Sequence, residues 1–133
     1  MSQRTFATIA AVTSLITGAA GLVAPQLMAT VFGVSLDPVG IDLVRLACAS
    51  YLGYAALNWM ARGVTDASAW RAIAAGNAVG WAAGCIATIV GILSGFDGRV
   101  WLVVAIEVCF TAAWSLTAVQ TGRLVQRTSR SAA

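Results

Sequence analysis

Four runs of about twenty apolar residues, at 6–24, 41–60, 72–93 and 100–119, decide most of what this chain can fold into. A helix needs about 20 such residues to cross a hydrocarbon core ~30 Å thick, and each run meets that length. The 133 residues are 59% hydrophobic and only 10% charged. A soluble domain carries about 25% charged residues, and a chain this small leaves much of its surface exposed. Lipid is therefore the solvent for most of it. What lies between the runs is too short for a separate soluble domain, so residues 1–133 read as one all-α, four-span membrane domain. In hydrocarbon only helices and closed barrels satisfy their own backbone, and these runs have helical length.

The first run resembles a secretory signal, with Arg4 ahead of an apolar stretch and small residues at Ala19 and Ala20. It is long for a signal core and Pro25 follows Ala24, so it is read as a retained span. Arginine placement sets the orientation. Arg4, Arg62, Arg71, Arg123, Arg127 and Arg130 fall on one side, and Arg45 and Arg99 on the other, each near an acid. The positive-inside rule puts both termini in the cytoplasm. The expected location is the bacterial inner membrane. Trp59, Trp70 and Trp101 lie near predicted span ends, where indole favours the headgroup layer.

Between the first two spans, Pro25 suits the first position of a short helix. Leu27, Met28, Val31 and Phe32 would share its apolar face, giving an interfacial segment at 25–34. A first span running on to Phe32 with a proline kink is equally open. Residues 35–40 read as a turn, and the basic tail from Gly122 reads as frayed. No internal repeat or heptad run is apparent.

Lipid gives helices no hydrophobic reason to associate, so close packing and polar contacts must hold them. In the third span Ala72, Gly76, Gly80, Gly84 and Thr88 recur every four residues. Gly76, Gly80 and Gly84 are the expected packing seam, either inside the bundle or between copies. Gly18, Gly21, Ala49 and Gly53 are candidate partners.

Ionisable groups at membrane depth are costly and become candidate sites. Glu107 lies seven residues into the fourth run, ~10 Å at 1.5 Å per residue, and Arg45 four residues into the second, ~6 Å. The expectation is a Glu107–Arg45 pair, with Asp42 one turn from Arg45 as a second acid. Two readings of this set stay open. One is a structural ion pair; the other is an outer-leaflet polar pocket for a quinone, a lipid headgroup or a small polar ligand. Asn58, Tyr51 and Asn77 form a second polar set, read as interhelical hydrogen bonds. Trp81, Phe110 and Trp114 read as core.

Composition removes whole chemistries. Without His there is no His-ligated metal site, bis-His haem or His-based triad, and without Lys no Schiff base. No metal site is expected, and quinone is the one cofactor admitted. Cys48, Cys85 and Cys109 are odd in number, lie within spans and form no Cys-x-x-Cys pair, which disfavours disulfide chemistry. The basic pI reflects cytoplasmic arginines rather than a basic face, so nucleic acid is not an expected partner. Expected partners are the bilayer and either another membrane protein or a second copy.

Taken together, Ala24-Pro25 after a glycine-rich first span, Phe32-Gly33, Arg45-Leu46, Gly53, Arg71 and Glu107 resemble small bacterial four-helix membrane proteins loosely grouped with the DoxX-like families. The similarity covers roughly 5–121 at scattered positions. It implies a four-helix bundle. DoxX itself is linked to thiosulfate oxidation with quinone as acceptor, and this chain lacks the His or paired Cys that would hold a redox centre. Small multidrug-resistance exporters also have four spans and a membrane Glu, but place it in the first span, whereas Ala105-Ile106-Glu107-Val108 lies in the fourth. The expected role is non-enzymatic: an accessory or scaffold protein, or a binder of lipid or quinone. A DoxX-like oxidoreductase subunit and a proton-coupled exporter using Glu107 are the alternatives.

Overall fold

A computed structural model describes residues 2–131, with side chains described through Arg123. Among these the regular structure is helical and no strand occurs. In chain order the helices are α1 (Gln3–Val23), α2 (Pro25–Val31), α3 (Pro38–Ala61), α4 (Ala67–Leu93) and α5 (Trp101–Ser131), the last entered through a single 3-10 turn at Gly98–Val100. Four of them are long and apolar enough to cross a membrane. The first three of these begin a few residues earlier than hydropathy alone places them, because polar caps extend the helices past their apolar runs.

The caps are local and specific. The Ser2 hydroxyl accepts from the Thr5 amide at 3.1 Å, Asp37 Oδ1 from Gly40 at 2.7 Å and Asp66 Oδ1 from Ala69 at 2.7 Å. Each satisfies one of the orphan amides of a first turn. The Ala69 amide and then the Ser68 hydroxyl hold the Asp66 carboxyl below the usual carboxylate range. Two helices end in left-handed glycines, Gly33 (φ 71°) and Gly95 (φ 112°). In both, the next residue's amide reaches back five positions, Val34 to the Ala29 carbonyl and Phe96 to that of Gly91, which is the Schellman closure. The Phe96 ring then lies where a side chain at 91 would be.

Pro25 opens a separate helix rather than kinking α1. Ala24 leaves helical geometry (φ −134°, ψ 62°), and α2 starts with Pro25 in the position that needs no amide donor. The Gln26 side chain then clamps the connection to α3. Its amide donates to the Leu36 carbonyl at 3.1 Å and its oxygen accepts from the Leu36 amide at 3.3 Å.

The chain forms two compact units, Met1–Gly63 and Val64–Ala133. In the first, α1 packs antiparallel on α3. The α1 seam is Ala7, Ala11, Ser14, Gly18 and Gly21, all small. Gly18 meets Leu52 and the Cys48 carbonyl, and Gly21 sits directly against the Cys48 side chain. In the second unit α4 packs on α5, also antiparallel, since Gly84 meets Glu107 while Gly122 lies under Arg71. The buried or half-buried seam of α4 is Trp70, Ala74, Asn77, Trp81, Gly84, Thr88 and Gly91. That of α5 and its entering turn runs Val100, Val104, Glu107, Thr111, Trp114, Ala118 and Thr121.

These spacings alternate four and three, the period that keeps a seam facing its partner along antiparallel or parallel helix pairs. The sequence hides this heptad because its seam residues are Glu, Thr, Asn, Trp and Gly as often as aliphatic ones. It also explains where the expected glycine row goes. Steps of four advance about 40° around a helix of 3.6 residues per turn, so such a row drifts off any straight seam. Gly84 lies on the α4–α5 seam, Gly80 is half-buried and Gly76 is exposed, with open space where a side chain would go.

Two further expectations change. Trp70 is 1% exposed and packs on Trp114 at 6.0 Å between ring centroids, so it is core rather than a headgroup anchor; Trp59 and Trp101 are half exposed. The α5 helix does not fray at Gly122. It continues to Ser131, with Gly122 buried beneath the Arg71 side chain. The side chains of Arg127 and Arg130, and residues 132–133, lie outside the described residues.

Two outcomes follow from this packing. Gly21→Ala is expected to destabilise the first unit by about 1–3 kcal/mol through overpacking on Cys48, with Cys48→Ala recovering most of the loss. Gly53→Ala and Gly76→Ala, which meet open space, should lose nothing. Unfolding in mixed micelles followed by circular dichroism reads all four. At the α4–α5 connection, Asp97 accepts from the Arg99 guanidinium at 2.9 and 3.0 Å and from the Arg99 amide. Chiefly the guanidinium bonds hold its carboxyl down to about 2. A depressed carboxylate contributes stability above its unfolded value of about 3.9 and loses it as pH falls through about 2. Side-chain carbon NMR should show Asp97 titrating near the lower value, moving up in Arg99→Gln.

Candidate functional site

The second unit buries an acid in its seam. Glu107 lies six residues into α5, ~9 Å along the axis, and is 6% exposed. Its immediate neighbour is Gly84 of α4: a side-chain carbon there would come within 3.0 Å of Oε1. Glycine is what leaves room for the carboxyl group. One turn further along α4, the Thr88 hydroxyl donates to Oε1 at 3.2 Å. Oε2 is buried and has no hydrogen-bond partner among the described residues.

Other polar and aromatic groups share that face of α5. Thr111, one turn on, has a buried hydroxyl without a partner among the described residues. Phe110, three residues from Glu107, stacks on Trp81 of α4, with ring centroids 4.4 Å apart and planes 11° apart. Residues three and four apart on a helix are neighbours. A carboxyl, two hydroxyls and a stacked aromatic pair therefore occupy consecutive layers of one seam. An unsatisfied polar oxygen in hydrocarbon costs several kcal/mol, which makes Oε2 the costliest feature of the seam.

Arg45 lies on α3 in the first unit, its side chain 49% exposed, with Nη1 3.6 Å from Oδ1 of Asp42. Asp42 is itself largely exposed. Each charged residue of the expected trio thus has a partner inside its own unit: Arg45 with Asp42, and Glu107 with Thr88. Asn58 and Asn77 are both buried, and each donates to the carbonyl four residues back on its own helix, Tyr54 and Ile73, at 3.0 Å. This back-bonding lets a polar side chain stay inside a span. Tyr51 is half-buried two turns before Asn58.

Sequence reasoning found Glu107 but not the rest of its setting. Thr88 was visible as the last member of the glycine row, and its i+3/i+4 relation to Gly84 and Gly91 is the signal that places it on the seam. Thr111 carried no signal, because a lone threonine in a span is ordinary.

With four helices of membrane-spanning length and apolar surface facing outward along all of them, the chain is a multi-pass helical membrane protein. No family model, curated protein or solved structure matches it.

Removing the Thr88 hydroxyl tests how much the carboxyl depends on it. Thr88→Val is expected to destabilise the second unit by about 0.6–2 kcal/mol, the range for hydrogen bonds in membranes. Gly84→Ala should push the Glu107 carboxyl aside by a few tenths of an ångström and weaken its bond to Thr88, so its effect should not add to that of Thr88→Val. Steric trapping or denaturant titration in bicelles measures both, and fully additive losses would contradict the close approach.

Proposed function

We propose that this is an accessory protein of the bacterial inner membrane, non-enzymatic, whose Glu107 seam binds the polar head of a lipid-soluble ligand of quinone type. The carrying observation is the buried Glu107 carboxyl with one oxygen unpartnered among the described residues. A protonated carboxyl donates to a quinone carbonyl, and the Thr88 and Thr111 hydroxyls supply further donors. The Trp81–Phe110 stack beside them offers a flat apolar surface of the kind a ring lies against. Mostly apolar walls with a few placed polar groups are the usual makeup of small-molecule sites.

In this reading the four helices assemble into one bundle with both termini cytoplasmic, and α2 lies in the outer interface. The arginine distribution supports the orientation, and the separate α2 helix supports the interfacial placement. Kinship with the DoxX-like families is part of the same proposal and rests on scattered positions alone. The exposed Arg45–Asp42 pair is a second polar point on α3 and suits contact with a partner helix.

Glu107→Gln separates the readings. It keeps the shape and one donor group but removes the ionisable proton. Quinone binding, followed by quenching of tryptophan fluorescence in lipid nanodiscs, is expected to weaken at least about tenfold in this variant while thermal unfolding stays within about 1 kcal/mol of the parent. A large stability loss with binding intact would make Glu107 structural. Proton-coupled flux in vesicles containing the purified protein alone, abolished by the same substitution, would make the chain an exporter.

A further inference from the structure

We infer that the first unit holds one anionic phospholipid, with an acyl chain in a cleft between α1 and α3 and its phosphate on Arg62. The cleft has a volume of about 340 Å³, within the range of small-ligand sites. It is lined by small residues, Ala11, Ala55 and Ala56, and by the larger Leu15 and Leu52. Small residues on both helices let the backbones approach while leaving a channel between the longer side chains. Such a channel in hydrocarbon takes a hydrocarbon occupant.

What makes that occupant a phospholipid is the end of the cleft. Trp59 closes it and is half exposed, as an indole at the headgroup layer is. The Arg62 guanidinium lies 3.2 Å over the Trp59 ring, and its Nε donates to the Trp59 carbonyl at 2.9 Å. Stacking and that bond fix the plane of the guanidinium. Its terminal nitrogens have no hydrogen bond or ion pair among the described residues. A fixed fork of two donors is the geometry that recognises phosphate oxygens. Because α1 runs antiparallel to α3, Arg4 lies at this same end of the unit, and no acid of residues 1–63 does, since Asp37 and Asp42 belong to the start of α3. Within residues 1–63 that end is therefore positive, the charge an anionic headgroup requires, and Asp66 is the next acid along the chain.

The site belongs to the first unit and the Glu107 seam to the second, so the inference does not depend on that seam. Native mass spectrometry of the full chain, released from micelles containing equal phosphatidylglycerol and phosphatidylcholine, tests it. The expected result is one retained phosphatidylglycerol per chain, in preference to phosphatidylcholine. Arg62→Gln should lower that retention about fivefold, the loss expected for one arginine at a membrane surface. Ala56→Phe, an exposed position that fills the cleft, should lower it too, and Arg99→Gln should leave it unchanged. Equal retention of the two lipids, undiminished retention in Arg62→Gln or Ala56→Phe, or a homodimer that excludes lipid would each overturn the proposal. Should Arg62→Gln fail to fold, salt decides with the parent protein. Shortening the Debye length from about 10 Å to about 3 Å must weaken the preference for the anionic lipid, and a preference indifferent to salt overturns it.

Discussion

Everything in this structure depends on helices that must pack without a hydrophobic drive to do so. Lipid tails compete on equal terms with Leu and Ile for any apolar face, so burying one gains little. What lipid does not supply is close backbone approach and a partner for polar groups. The two seams use these in different proportions. The α1 seam of Ala7, Ala11, Ser14, Gly18 and Gly21 works by proximity. The α4–α5 seam carries large rings and polar groups, with Trp70 on Trp114 and Thr88 on Glu107. Large apolar side chains such as Ile16, Leu46, Val79 and Leu102 point outward instead, the reverse of a soluble core.

That inversion sets how much of the structure was legible in the sequence. Spans follow from length and hydropathy, which lipid dictates directly, and all four were legible to within a few residues. The short α2 helix was legible as one of two options because Pro25 has a fixed backbone preference. The helix faces were not legible. In a soluble helix the buried side announces itself by apolarity, whereas here Glu107, Thr111 and Thr121 sit inward and Ile106 and Val108 outward. Periodicity in residue size would have served better than periodicity in hydropathy, but glycines occur on both sides of α4, so Gly76 and Gly84 look alike until α5 is in place.

The candidate site shows the same division. Glu107 stood out because an acid at that depth is rare and costly. Its pairing rested on depth alone, and depth does not say which way a helix faces. The contacts that define the site run between sequence neighbours of one hairpin, Gly84 and Thr88 with Glu107. Arg45 finds its acid a single turn away, where helical geometry makes the encounter almost automatic.

The division into two hairpins has a consequence in time. Each unit closes on itself through helices adjacent in the chain, and the Gln26 clamp on Leu36 fixes the first connection within eleven residues of backbone. Contacts this local form early and carry little loop-closure cost. As the chain emerges from the ribosome, the α1–α3 pair has all of its own partners before α4 has been synthesised. Assembly can therefore proceed as two insertions, and the Glu107 carboxyl enters the bilayer with Gly84 and Thr88 already there to receive it.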